Sequence, residues 1–267
     1  MKSFCIPRTD PELNKEALEF FKEQGYVLIT DFFSSEDAKQ LRATVADAAR
    51  FEQLNGMAHV YGENLQRVWN LLNKGQIFHE LLLSQQVDLL MNEVFHRNTP
   101  HRKYFLSSYM ANIVGPGAAA QILHIDTPVP EPLPRFIIKA NIIWLLDDFT
   151  EMNGATEIIP KSHLLSYKPQ RQPTPDDLKA LVKVVAPSGS ILVTHGALWH
   201  RSGENRSEIN RTVLLSSFAS SFAREISSED DTVRFLPKSV VTKMDPRLFD
   251  MIGGNHGVKP GNHYFRT

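Results

Sequence analysis

The sequence predicts a mainly β domain, a barrel or jelly roll, with α-helices packed on its outside. Two observations predict it. The first third shows apolar residues at helical spacing between capping signals, whereas the stretch after Pro100 breaks into short strand-like runs separated by turn residues. The composition is that of a globular chain: 267 residues, 42% hydrophobic and 22% charged. That is enough to bury a sizeable core.

Each element has its own signal. Asp10-Pro11-Glu12 reads as a helix start, with Leu13, Ala17, Phe20 and Phe21 following at helical spacing and Gly25 ending the run. Tyr26–Thr30 reads as a strand, and Ser34 or Ser35 starts a second helix through about Phe51. Residues 75–95 read as helical with a break near Ser84. The predicted strands are 103–114, 119–126, 136–146, 155–159, 181–185, 190–194 and 212–218. Gly115-Pro116-Gly117, Asn153-Gly154 and Pro187-Ser188-Gly189 punctuate them. Thr174 caps a small helix. One domain over 1–267 is expected, with a helical part at about 10–98 on a β core at about 103–220.

The net charge is −1, so no global field draws nucleic acid or an anionic membrane. Cys5 is the single cysteine, which excludes a disulfide framework within the chain and a cysteine-rich zinc site. The N-terminus lacks the pattern of a signal peptide, and the most apolar run, Phe136–Leu146, is too short to span a bilayer. The expectation is a cytoplasmic protein acting on a small molecule, with a homodimer left open.

The chemistry-bearing residues come next. In a strand, His124 and Asp126 point to one face and Ile125 to the other. With a distant His200 they would make a two-histidine, one-carboxylate set, the arrangement that leaves positions open on iron(II). Arg211 opens the apolar run Thr212-Val213-Leu214-Leu215, where a buried guanidinium needs an anion. Ser202 could donate to the same carboxylate. Taken singly, these residues also suit a packed histidine, an ordinary ion pair or a routine hydrogen bond.

Together they form a pattern. Gln121-Ile122-Leu123-His124-Ile125-Asp126, Asn153-Gly154-Ala155-Thr156, Pro160-Lys161-Ser162-His163 and His200-Arg201-Ser202 with Arg211 follow in this order and spacing. On these motifs the chain resembles the phytanoyl-CoA dioxygenase-like branch of the iron(II)/2-oxoglutarate-dependent oxygenases. The resemblance runs from Phe20 to about Phe218. It implies a double-stranded β-helix of cupin-like, jelly-roll type, with Fe(II), 2-oxoglutarate and O2 as cofactor and cosubstrates. It implies iron ligation by His124, Asp126 and His200. Arg211 with Ser202 would hold the distal carboxylate of 2-oxoglutarate, and Gln121 would assist its keto acid end. Thr156 would touch the cosubstrate, and Arg67 would lie near the site. Asp126 fills the ligand position that related halogenases leave to chloride, so hydroxylation, desaturation or rearrangement is expected. A secondary metabolite or amino-acid-like compound is the expected substrate class, released with succinate and CO2 as coproducts.

Two readings from other classes stand beside this one: a non-catalytic cupin-like sensor that keeps the site, and a zinc hydrolase using the same triad. His163 and His195 are not needed as ligands. Tyr109, Asn112 and Trp144 are candidates for the barrel lining. The proline-rich stretch Thr127–Arg135 reads as a wall or lid at the substrate mouth. Gly253-Gly254-Asn255-His256-Gly257 reads as a loop near the site or a subunit interface, and Glu229-Asp230-Asp231 as a solvated turn.

Overall fold

Helix boundaries follow the capping chemistry, with one shift. The computed structural model describes residues 1–12, 14–95, 104–223 and 236–254. Helix α1 spans Lys15–Gln24, capped by Asn14, whose side chain accepts from the Ala17 N–H. It ends at Gly25 in the left-handed region, φ +82°. Asp10 is not the cap that the sequence predicts. Its carboxylate accepts from the Glu12 N–H in a local turn, and Gln86 donates to the carbonyls of Asp10 and Glu12. Those carbonyls are thus committed outside a helix. Leu13 lies outside the described residues.

Helix α2, Ser35–Leu54, starts at Ser34 with a reciprocal capping box to Asp37. Ser84 separates α3, Gln76–Leu82, from α4, Gln85–Val94, and caps the second. Thr174 caps α5, Pro175–Ala180. Two short helices, α6 (Lys238–Val241) and α7 (Pro246–Met251), follow near the C-terminus. Asn255-His256-Gly257, Glu229-Asp230-Asp231, Pro100 and Lys103 lie outside the described residues.

The strands are β1 (Ser3–Cys5), β2 (Tyr26–Thr30), β3 (His59–Tyr61), β4 (Leu65–Val68), β5 (Tyr104–Val114), β6 (Lys139–Leu145), β7 (Thr156–Ile158), β8 (Val182–Lys183), β9 (Ile191–His195), β10 (His200–Ser202) and β11 (Arg211–Ser220). They form an eight-stranded sheet, β1-β2-β9-β6-β11-β5-β4-β3, and a three-stranded sheet, β10-β7-β8. This is a mainly β core with flanking helices, as the sequence predicts. The helical third also contributes β1, β3 and β4, which helical periodicity did not reveal. They are short; β3 and β4 pair with each other, and β4 joins the sheet through β5, which comes from elsewhere in the chain.

The predicted strand at 119–126 is not a strand. Gln121 N–H bonds to Ser202 O, His124 pairs with His200, and Asp126 N–H bonds to Gly196 O. The offset between partners changes along the segment, so no continuous ladder forms.

Alternation divides the large sheet into two faces. One face packs Tyr109, Ala111, Ile142, Trp144, Leu214 and Phe218 against the helices, in the main core. The other joins Ile143, Leu145, Leu192 and Val213 to Phe149, Ile158 and Val184 in a second core. This parity corrects the predicted lining. Asn112 faces the cavity between the sheets, but Tyr109 and Trp144 face the helices. The Trp144 ring meets Phe32 at 5.8 Å and Phe33 at 6.1 Å, and its N–H donates to Ser216 Oγ at 3.0 Å.

Trp144→Ala should therefore cost about 3–5 kcal/mol of stability, measured by urea unfolding. A loss below about 1 kcal/mol would show that the site collapses without a cavity.

Candidate active site

A cavity of about 740 Å³ opens between the two sheets. Its metal-competent corner is made by backbone pairing. His124 and His200 exchange two N–H···O bonds of 3.0 Å each, forming an isolated antiparallel bridge. That pairing sets the two imidazoles side by side, with ring centroids 4.4 Å apart. Asp126 joins them, its backbone N–H held by Gly196 O at 2.8 Å. One ligand atom from each of His124, Asp126 and His200 lies within 4.8 Å of the other two.

The tautomers suit a metal. His124 Nδ1 donates to Ile122 O at 2.8 Å, and His200 Nδ1 donates to Leu198 O at 2.9 Å. A carbonyl can only accept, so Nδ1 carries a proton in each ring and Nε2 is the atom left to bind a metal. Both Nε2 atoms turn toward Asp126, at 3.8 Å for His124 and 3.2 Å for His200. Burial alone would raise the Asp126 carboxyl, but the neighbouring His200 holds it well below the ordinary carboxylate range. Burial pushes His124 down. It would push His200 down too, but Asp126 more than offsets it and His200 is raised.

Asn141 was not singled out in the sequence. Its Nδ2 donates to Asp126 Oδ2 at 2.6 Å, and its Oδ1 accepts from Ser217 Oγ. The available signal was its place in the apolar run Phe136–Leu146, where a polar residue needs a partner.

The anion-competent corner is built around Arg211. It is 2% exposed. Its Nη2 donates to Ser202 Oγ at 2.6 Å and to Gly154 O at 2.7 Å, and its guanidinium lies 4.8 Å over the Phe149 ring. Its Nε is buried without a partner among the described residues. Burial lowers its pKa to about 10, so it stays charged at neutral pH. Gly154 has φ +74°, and a Cβ there would sit 2.9 Å from Gly203 O, so the Asn-Gly turn admits no side chain as it brings its carbonyl to Arg211.

Ser202 faces Thr156 across the β10–β7 pair, and its N–H donates to Gln121 Oε1 at 3.0 Å. In this arrangement the Ser202 hydroxyl donates to Gly154 O at 3.2 Å, so it orients the guanidinium. Gln121, Thr156 and Arg67 line the same cavity. Arg67 is held 4.3 Å from the Tyr61 ring centroid and 5.6 Å from that of Trp69. All eight sequence-predicted site residues thus border one space.

Other candidates sort differently. His163 and His195 pair with each other, ring centroids 5.1 Å apart, and neither borders the cavity. Burial, then the nearby His163, lowers His195 to about 3, so it is neutral. Of the proline-rich stretch, Pro128 borders the cavity. Leu133 N–H bonds to Ser166 O, and Glu131 accepts from Lys168 N–H.

Residues 21–213 match the family described as Phytanoyl-CoA dioxygenase (PhyH). The chain belongs to the PhyH family. Among its curated relatives is Dioxygenase af480 of Aspergillus fumigatus, 28% identical over 92% of this chain and 79% of the relative. Dioxygenase cdmA of Talaromyces verruculosus is 27% identical over 94% and 85%. Among solved structures, the non-heme alpha ketoglutarate dependent carbocyclase SnoK from nogalamycin biosynthesis superposes with a TM-score of 0.64 at 20% identity. It covers 80% of this chain and 87% of its own. HygX from Streptomyces hygroscopicus, solved with nickel and 2-oxoglutarate bound, gives 0.63 at 16% identity over 79% and 89%. These likenesses support the jelly-roll fold of a PhyH-family chain. Among the described residues no helix is long and apolar enough to cross a membrane.

Asn141→Ala should lower affinity for a divalent cation by about 10–100-fold through loss of the bond that orients Asp126. Equilibrium dialysis with Mn(II) checks it, and unchanged affinity would show that Asp126 needs no such support.

Proposed function

We propose that this PhyH-family protein is an iron(II)- and 2-oxoglutarate-dependent dioxygenase that oxidises an unactivated C–H bond of a small organic molecule. The observation that carries the reading is the meeting of two corners in one cavity. One is the convergent His124, Asp126 and His200 set. The other is the buried Arg211 cation with an unpartnered Nε.

The residues fit both absent groups. Two imidazole Nε2 atoms and one ionised carboxylate suit iron(II) and leave further positions open. A planar, buried guanidinium suits a carboxylate. When bound, iron and 2-oxoglutarate supply the oxidising chemistry, in which 2-oxoglutarate and O2 become succinate, CO2 and one oxygen equivalent for the substrate.

The chain's own part is placement. His124 and His200 would present their Nε2 atoms to the metal, and Asn141 fixes Asp126 beside them. Arg211, aimed by Ser202 and Gly154, would take the distal carboxylate. Gln121, Thr156 and Arg67 wall the same space and would contact the cosubstrate. The cavity volume suits a small-molecule ligand. Asp126 occupies the ligand position that a halide would need, which favours hydroxylation, desaturation or rearrangement over halogenation. Residues 1–267 would act as one domain, since the large sheet draws strands from Ser3 to Ser220. A zinc hydrolase would leave the Arg211–Ser202 clamp without a role, and the complete triad beside Arg211 argues against a non-catalytic metal- or acid-binding sensor.

The test is anaerobic. Iron(II) and then 2-oxoglutarate should produce a weak visible metal-to-ligand charge-transfer band, and O2 should then yield succinate. Absence of the band in folded, iron-loaded protein would overturn the cosubstrate assignment. Arg211→Ala should remove about 2–5 kcal/mol of 2-oxoglutarate binding while iron still binds. Calorimetric titration checks it, and unchanged affinity would remove Arg211 from the site.

A further inference from the structure

The end of the cavity away from Arg211 holds a second buried cation. Lys139 opens β6, borders the cavity and is 9% exposed. Among the described residues its ammonium has no hydrogen-bond or ion-pair partner. Ser108 and Ser217 border that end of the space, Ser217 facing Ser108 of β5 and lying two residues from Ala219, the partner of Lys139. A cation on the wall of a cavity draws an anion into that space.

Lys139 is not placed to share the anion of Arg211. Arg211 pairs with Val114 at one end of β11, and Lys139 pairs with Ala219 near the other. The eight intervening steps of β11 correspond to about 25 Å of strand. A five-carbon diacid held at Arg211 does not span that distance.

The cavity supplies one counter-charge, Asp126, whose ionised form the Lys139 ammonium favours. Asp126 is the sole acid among the described residues that line it, and a bound metal would claim its charge. With iron(II) and 2-oxoglutarate in place, Asp126 and the two cosubstrate carboxylates would face the metal, Arg211, Arg67 and Lys139. The site would retain an excess of positive charge. Arg201, also on the wall, is already paired with Glu157 at 2.7 Å.

Resting on the oxygenase reading, we propose that Lys139 anchors a carboxylate on the substrate, which makes the substrate an organic acid. Ser108, which borders the same cavity, offers a hydroxyl as a neutral donor beside that charge, whereas the Ser217 hydroxyl is already given to Asn141. Lys139 is a specificity residue in this scheme and takes no part in the oxidation.

The experiment uses the full chain loaded anaerobically with iron(II) and 2-oxoglutarate. Two matched probe pairs are titrated by calorimetry: 1-naphthoate and 4-biphenylcarboxylate, each against its methyl ester. The acids should bind about tenfold or more tightly than the esters. Lys139→Met should abolish that preference, and Lys139→Arg should keep it. Lys139→Gln is the second neutral variant if Met disturbs folding. Affinity for 2-oxoglutarate should stay within about twofold in all three.

No acid preference in the native protein, or a preference that survives in the neutral variants, would overturn the proposal. So would a parallel loss of 2-oxoglutarate affinity, which would assign Lys139 to the cosubstrate. Failure of the charge-transfer band in the native protein would instead strike the oxygenase reading itself.

Discussion

The site depends on one short piece of backbone pairing, the antiparallel bridge between His124 and His200. Each residue gives its N–H to the other's carbonyl, so their relative position is set before either side chain is considered. The carbonyls of Ile122 and Leu198 then orient the rings by taking the Nδ1 protons. Metal-binding geometry is thus written into the main chain. This is an economical way to hold ligands drawn from segments far apart in sequence.

The two sheets around this bridge serve different ends. The large sheet buries one face under helices, where Trp144, Tyr109 and Phe218 pack. Its other face is partly apolar and partly polar. Near Phe149 and Ile158 it closes into a second core. Elsewhere it carries Arg211, Ser217 and Lys139 into the cavity and sets Asn141 against Asp126. Polar residues there either hold one another or keep an atom without a partner. The Ser217–Asn141–Asp126 chain is an instance of the first kind, and Arg211 Nε of the second.

Charge is distributed along the cavity with a purpose that the net charge of −1 conceals. Among the described residues its walls carry cations at several levels and one acid, Asp126. In a low-dielectric space each such charge has a large effect on what enters. The proposed anionic cosubstrate at Arg211 and acidic substrate at Lys139 would both answer this imbalance.

Much was legible in the sequence by itself. Capping residues Ser34, Ser84 and Thr174 marked helix starts, because a short polar side chain satisfying free N–H groups is a local event. The spacing of His124, Asp126, His200, Ser202 and Arg211 identified the candidate site. What the tertiary structure decided was non-local. The 119–126 segment takes its shape from Gly196, His200 and Ser202 rather than from its own propensity. Strands β3 and β4 pair with each other and join the sheet only through β5. Strand parity, set by pairing, turned Trp144 and Tyr109 toward the helices and Asn112, Asn141 and Lys139 toward the cavity side. Residue type can announce a function, but which face of a sheet a residue occupies is settled only when its neighbours arrive.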